Sequence, residues 1–206
     1  MSLGRPFRWN SFLIVLLVAG FGVDGVRGQT ESRSFPLGPP PISRSEPRKL
    51  APYVSTPMNI VEQMLELSEL KPGEMLYDLG CGDGRILIMA AEKFQARAVG
   101  VELNENLYKE ALGKVKAKGL EDRVRIIQGD LLDQNLRPAD VVTLYLLSSA
   151  NEKIRPRMEK SLRNGSRVVS HDFKIPGWKP EKMRNIVDRN GISHTLYLYK
   201  LPQGAQ

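Results

Sequence analysis

Cysteine is almost absent: Cys81 is the single one in 206 residues, so no intramolecular disulfide can form. Histidine is nearly as scarce. Two histidines and one cysteine cannot build the common structural zinc sites made from Cys and His, and no metal is expected. Internal repeats are also missing. Collagen, coiled-coil and fully disordered chains are excluded by 41% apolar and 26% charged residues. What remains is the composition of one globular domain, long enough to bury a core without staples.

A strong charge of one sign is missing where it would matter. The chain carries +7 overall. Residues 1–28 hold Arg5, Arg8 and Arg27 against Asp24, and residues 29–57 hold Arg33, Arg44, Arg48 and Lys49 against Glu31 and Glu46. Each stretch therefore takes +2, and the rest keeps only +3. Mild basicity of that size reads as solvated surface charge, and nucleic acid is not the expected partner.

The amino-terminal part is not domain-like. Arg5 and Arg8 precede an apolar run of 12 residues, Phe12 to Val23. That length suits the core of a signal peptide and falls short of the ~20 residues of a spanning helix. Residues 1–28 are thus a signal peptide cleaved before Gln29 or a retained membrane anchor, so the protein is expected to be exported or held at a membrane. Residues 29–52 are a spacer. Pro36, Pro39, Pro40, Pro41 and Pro47, with interspersed serines, cannot support helix or sheet ladders.

From residue 53 the pattern turns periodic. Thr56-Pro57 reads as a helix start, with the hydroxyl as cap, followed by Met58, Ile60, Val61, Met64, Leu65 and Leu67 at helical spacing. Strand patterns at 74–78, 98–102, 124–127, 140–146 and 167–170 alternate with helical patterns at 85–94, 105–119 and 151–163, the last expected to restart at Pro156. Asn104 is a helix cap. Asp188-Arg189-Asn190-Gly191 then separates two strand-like runs, the signal of a hairpin. Such alternation predicts an α/β domain over 53–206: a mainly parallel sheet, helices on both faces, a closing antiparallel hairpin. Ligands in such sheets lie beyond the carboxyl ends of the strands.

The chemistry concentrates there. Strand one runs into Asp78-Leu79-Gly80-Cys81-Gly82-Asp83-Gly84-Arg85. Glycines permit positive φ and a close backbone approach to a ligand, and the following helix aims free N–H groups at an anion. A dinucleotide fingerprint would want its third glycine at 85, where Arg85 stands. The acid at the strand end would repel a pyrophosphate but suits an ammonium. S-adenosylmethionine (SAM) carries both an ammonium and a carboxylate, which favours it over NAD. Glu102, ending strand two, can accept from ribose hydroxyls, and Asp130 after strand three can accept from an adenine amine, with Leu131 against the ring. Cys81 reads as a small residue inside the turn.

These motifs resemble the class I SAM-dependent methyltransferases, a Rossmann-like three-layer fold. Asp78 to Arg85, Gly100-Val101-Glu102-Leu103-Asn104 and Phe173-Lys174-Ile175-Pro176-Gly177-Trp178 are more narrowly similar to the mitochondrial protein-lysine methyltransferases of adenine nucleotide translocase and the ATP synthase c subunit, and to their bacterial relatives. The resemblance implies a seven-stranded sheet with a reversed last strand, SAM as cofactor, and a protein lysine as methyl acceptor. It also implies that Tyr53-Val54-Ser55-Thr56-Pro57 folds near the cofactor, which makes Tyr53 and Thr56 candidate binding residues beside Asp78, Gly80, Gly82, Gly84, Glu102, Asp130 and Leu131. A lysine amine, pKa ~10.4 in water, must lose a proton before it attacks. Tyr145 is the polar candidate at the end of the fourth strand, with His171 and Asp172 at the end of the fifth; Trp178 is a candidate channel wall, and His194 takes no role. No Asn/Asp-Pro-Pro-Tyr/Phe motif is present, against adenine-N6 and glutamine methylation. The alternatives are methylation of a small molecule or RNA, or a non-catalytic binding protein of the cell envelope. Export would separate the domain from cytoplasmic SAM.

Overall fold

The computed structural model describes residues 54–203. The apolar segment 12–23, the spacer 29–52 and Tyr53 lie outside the described residues. Among the described residues no helix is long and apolar enough to cross a membrane.

The order is α1 (Met58–Leu67), β1 (Met75–Leu79), α2 (Arg85–Lys93), β2 (Arg97–Glu102), α3 (Glu105–Ala117), β3 (Val124–Gln128), a 3-10 turn (Leu131–Asp133), β4 (Val141–Leu144), α4 (Ser148–Ser161), β5 (Arg167–His171), β6 (Lys182–Val187) and β7 (Ser193–Lys200). Seven strands form one sheet in the order β3-β2-β1-β4-β5-β7-β6. β1 to β5 pair in parallel, and β7 runs antiparallel to both β5 and β6. The expected α/β architecture and closing hairpin are both present.

Period two builds the layers. In β1, Leu76 joins Ile60, Met64, Leu87 and Ala111 on one face, while Met75, Tyr77 and Leu79 join Ile154, Met158 and Tyr199 on the other. Strands buried on both faces read as near-continuous apolar runs, as Val141 and Val142 do. Helices α1 to α3 cover the first face and α4 the second, which gives three layers.

Local differences from the sequence pattern have local reasons. Thr56 does not cap α1. Pro57 occupies the N-cap position with no side-chain cap, and its carbonyl accepts from Ile60 and Val61. Pro156 does not restart α4, which runs through it from Ser148. Ala150, Asn151, Ile154 and Met158 form its buried face, and this packing holds the helix despite one missing N–H. β4 ends at Leu144, two residues early, which frees Tyr145 and Leu146 to turn out of the ladder.

The strand order reverses between β1 and β4. Beyond their carboxyl ends lies the switch point where open α/β sheets bind ligands.

Candidate active site

A cavity of about 340 Å³ opens at that switch point. Its wall includes Thr56, Asp78, Gly80, Glu102, Asp130 and Tyr145. The first strand, the second strand and the turn after the third thus each deliver one acid, as the sequence spacing predicts.

The glycine turn is held from below. Gly80, Gly82 and Gly84 have φ of 85°, 54° and 80°, values that side-chain-bearing residues adopt at a penalty. Gly80 and Cys81 both donate their N–H to the Val101 carbonyl. Gly84 is the N-cap of α2, and a Cβ there would stand 3.2 Å from the Ala111 Cβ. Cys81 is buried against Gly100 of β2, as the small-residue reading requires.

Asp78 is 2% exposed. The β1–β4 register places it opposite Thr143, whose Oγ1 donates to Asp78 Oδ1 at 2.8 Å. Oδ2 is buried and has no partner within the protein. Burial is the main force that pushes this carboxyl up to about 7; the Thr143 hydrogen bond opposes it, and the charges of Glu102 and Asp83 reinforce it. A buried carboxylate oxygen without a donor costs stability until a cation meets it. The ammonium of SAM is such a cation, so the site fits the group.

Glu102 is already engaged by the backbone. Its Oε2 accepts from Gly82 N and its Oε1 from Asn104 N, each at 2.8 Å. One carboxylate therefore ties the glycine turn to the start of α3. Each oxygen keeps a further lone pair. Asn104 caps α3 as expected, with Oδ1 accepting from Asn106 and Leu107. Asp130 caps the 3-10 turn through Leu132 N, and Leu131 is buried beside it.

Asp83 and Arg85 brace the entrance. Arg85 grips Asp83 with Nε and Nη2, both at 2.9 Å, and its Nη1 donates to the Thr56 carbonyl at 2.7 Å. Lys114 reaches Asp83 Oδ2 at 2.6 Å. Burial alone would raise the Asp83 carboxyl, but the bonds and charges of Arg85 and Lys114 outweigh it and hold it at about 2. Thr56 reaches the cavity through this tie. Sequence reasoning missed Thr143, Asp83 and Arg85 as supports, because each acts across a contact between elements that no local pattern encodes.

The three catalytic candidates come together, but not all at the cavity. Tyr145 lines it. His171 is fully buried and stacks against the Tyr145 ring with centroids 3.8 Å apart. Burial lowers its pKa to about 4; Asp172 opposes that shift and His194 adds to it. At neutral pH it is uncharged and screened from the cavity. Asp172 Oδ2 stands 3.5 Å from the Tyr145 hydroxyl. Trp178 is buried on the α4 face, its Nε1 donating to Glu159 at 2.7 Å. His194, given no role by the sequence, lies 2.9 Å from His171 and 3.2 Å from Asp172.

Comparison with known proteins agrees with this geometry. The family model of the ANTKMT methyltransferase domain matches residues 78–182. A protein-lysine N-methyltransferase of Saccharolobus islandicus is 44% identical over 149 residues, which cover 72% of this chain and 92% of the relative. The adenine nucleotide translocase lysine N-methyltransferase of mouse is 34% identical, over 68% of this chain and 61% of that protein. A Salinibacter ruber RNA methyltransferase solved with S-adenosyl-L-homocysteine superposes with a TM-score of 0.68 at 43% identity, over 74% of this chain and 97% of that one. The fold is that of a class I SAM-dependent methyltransferase. The chain belongs to the ANTKMT methyltransferase family, and its cofactor is SAM.

Proposed function

We propose that the methyl acceptor is the ε-amine of a lysine in a protein. The observation that carries this is the 44% identity to a protein-lysine N-methyltransferase over 149 residues, 72% of this chain and 92% of that relative. The adenine nucleotide translocase lysine methyltransferase supports the same acceptor. The acids of the cavity wall do not choose it, since Asp78, Glu102 and Asp130 are assigned to the cofactor and Asp83 is bound to Arg85.

Bound SAM supplies a methyl group already activated on a sulfonium. The protein's part is to bind, align and dry the site. Asp78 Oδ2 would take the cofactor's ammonium, Glu102 would offer its remaining lone pairs to ribose hydroxyls, Asp130 and Leu131 would hold the adenine, and Thr56 and the turn glycines would line the amino-acid end. On the acceptor side, Tyr145 stays a neutral phenol, since burial and then Asp172 push its pKa up. Its O–H points to Asp172, and its oxygen lone pair accepts from the amine. Desolvation beside Tyr145 and Leu146 favours the uncharged amine, whose proton leaves to water. His171 positions the Tyr145 ring from behind.

Methyl-labelled SAM, the full chain, and either a protein extract or RNA make the test. Alkali-stable label should enter protein, with mass spectrometry placing it on lysine. Label found only in RNA or small molecules would end the lysine reading. Tyr145→Phe should lower kcat by roughly tenfold, the worth of one aligning hydrogen bond, and leave SAM affinity unchanged.

A further inference from the structure

Behind Tyr145, the ends of β5 and β7 bring three donor atoms to one point. His171 Nε2 and His194 Nδ1 are 2.9 Å apart, and each is 3.2 Å from Asp172 Oδ2. A divalent first-row ion bound tetrahedrally by nitrogen and oxygen at about 2.0–2.1 Å separates its ligands by about 3.3 Å. The triangle observed is close to one face of that polyhedron.

One neutral hydrogen bond, from His171 Nε2 to His194 Nδ1 at 2.9 Å, can join the pair, but it leaves other polar atoms here unanswered. The outer nitrogens, His171 Nδ1 and His194 Nε2, are buried without a hydrogen-bond partner. His194 Nε2 faces the buried Asp188 carboxylate at 3.7 Å, so its proton belongs on that side. With the His194 proton on that side, its Nδ1 turns a lone pair inward beside the Asp172 carboxylate; an ion among the three atoms would take that lone pair, the His171 Nε2 lone pair and the carboxylate together. A ligating histidine that turns its other N–H to a carboxylate is the usual support of a metal site. Asp172 is also held in an unusual pose, with φ of 59°. Its backbone pairs with Thr195, and Thr195 N donates to Asp172 Oδ1 at 2.8 Å. That leaves Oδ2 facing the two histidines, with the Tyr145 hydroxyl on its other side at 3.5 Å. Positive φ in a non-glycine residue is a strain that the surroundings must impose.

We propose that His171 Nε2, His194 Nδ1 and Asp172 Oδ2 bind one divalent transition-metal ion of the zinc type, with water completing the tetrahedron. Nitrogen and carboxylate donors select this class over the hard, oxygen-bound ions. The ion ties β5 to β7 and fixes the floor on which Tyr145 stacks; it takes no part in methyl transfer. Asp172, about a quarter exposed, is its side of entry.

The test uses the full chain after chelator treatment, titrated with Zn2+ by calorimetry and with Co2+ by visible absorption. Expected are one equivalent of Zn2+, Co2+ bands of tetrahedral intensity, and a higher Tm with Zn2+. His194→Gln should weaken Zn2+ at least about tenfold and abolish the Co2+ bands while SAM still binds, which reports that the variant is folded. If His194→Gln does not fold, Asp172→Asn takes its place and the wild-type Co2+ spectrum decides. A folded wild-type chain that takes up no Zn2+, or takes it up as well in the variant, overturns the proposal: a hydrogen bond from His171 Nε2 to His194 Nδ1 then joins the two strands without a metal.

Discussion

Asp78 is the residue on which cofactor binding turns, and its buried Oδ2 makes that measurable. Its folded pKa of about 7 lies above the ordinary carboxylate value of 3.8. The contribution of Asp78 to stability is therefore fully present below pH ~4 and lost as pH rises through about 7. Binding an ammonium needs the ionised carboxylate, so SAM affinity should rise as pH climbs toward 7. It should fall again when the cofactor's α-amine, pKa ~7.7–8.0, loses its proton. Calorimetric titration across pH 5.5–9 should give a bell. Asp78→Ala should weaken SAM by about 10–100-fold, the worth of a charged hydrogen bond, and remove the acid limb of the bell. A flat profile would mean the ammonium is held elsewhere. Glu102 is a different case, because its carboxylate already accepts two backbone N–H groups. Its acidity at a strand end is legible in sequence; its work as a clamp between the turn and α3 is not, since that needs residues 82, 102 and 104 to meet in space.

Among the elements, β2 shows how the turn is kept in place. Gly100 has ordinary backbone geometry, yet a Cβ there would meet Leu87 Cδ1 at 2.4 Å and Cys81 Sγ at 2.6 Å. Overpacking of this kind costs about 1–3 kcal/mol. Gly100→Ala should lower thermal stability by that amount and also weaken SAM, because Cys81 must move and carries the glycine turn with it. Stability lost with SAM affinity unchanged would show that the turn is set by its own glycines alone. The Gly100–Glu102 stretch reads in sequence as a strand with an acid at its end, and so it is. The close packing beneath Cys81 leaves no trace in the pattern. Likewise Pro156 looks like a break and is not one, because the buried face of α4 holds the helix together.

For the whole molecule, the sheet order places the site and the closing hairpin completes it. β7 enters between β5 and β6 and carries His194 to His171. We propose that residues 1–28 are cleaved, so mass spectrometry of the purified chain from its cell should find Gln29 as the first residue. A chain that keeps Phe12 to Val23 would instead be anchored.

Period and punctuation in the sequence determined the β/α alternation, the glycine turn, the hairpin and the three strand-end acids. These follow from interactions between near neighbours: side-chain alternation, capping, and the φ that glycine permits. Only the tertiary structure decided that Thr143 supports Asp78, that His171 is hidden from the cavity, and that His194 joins it with Asp172. Those pairings span 65 residues for Asp78 and Thr143 and 23 for the two histidines. They exist because strand order brings distant segments into register, and burial then fixes which of their polar atoms must find each other.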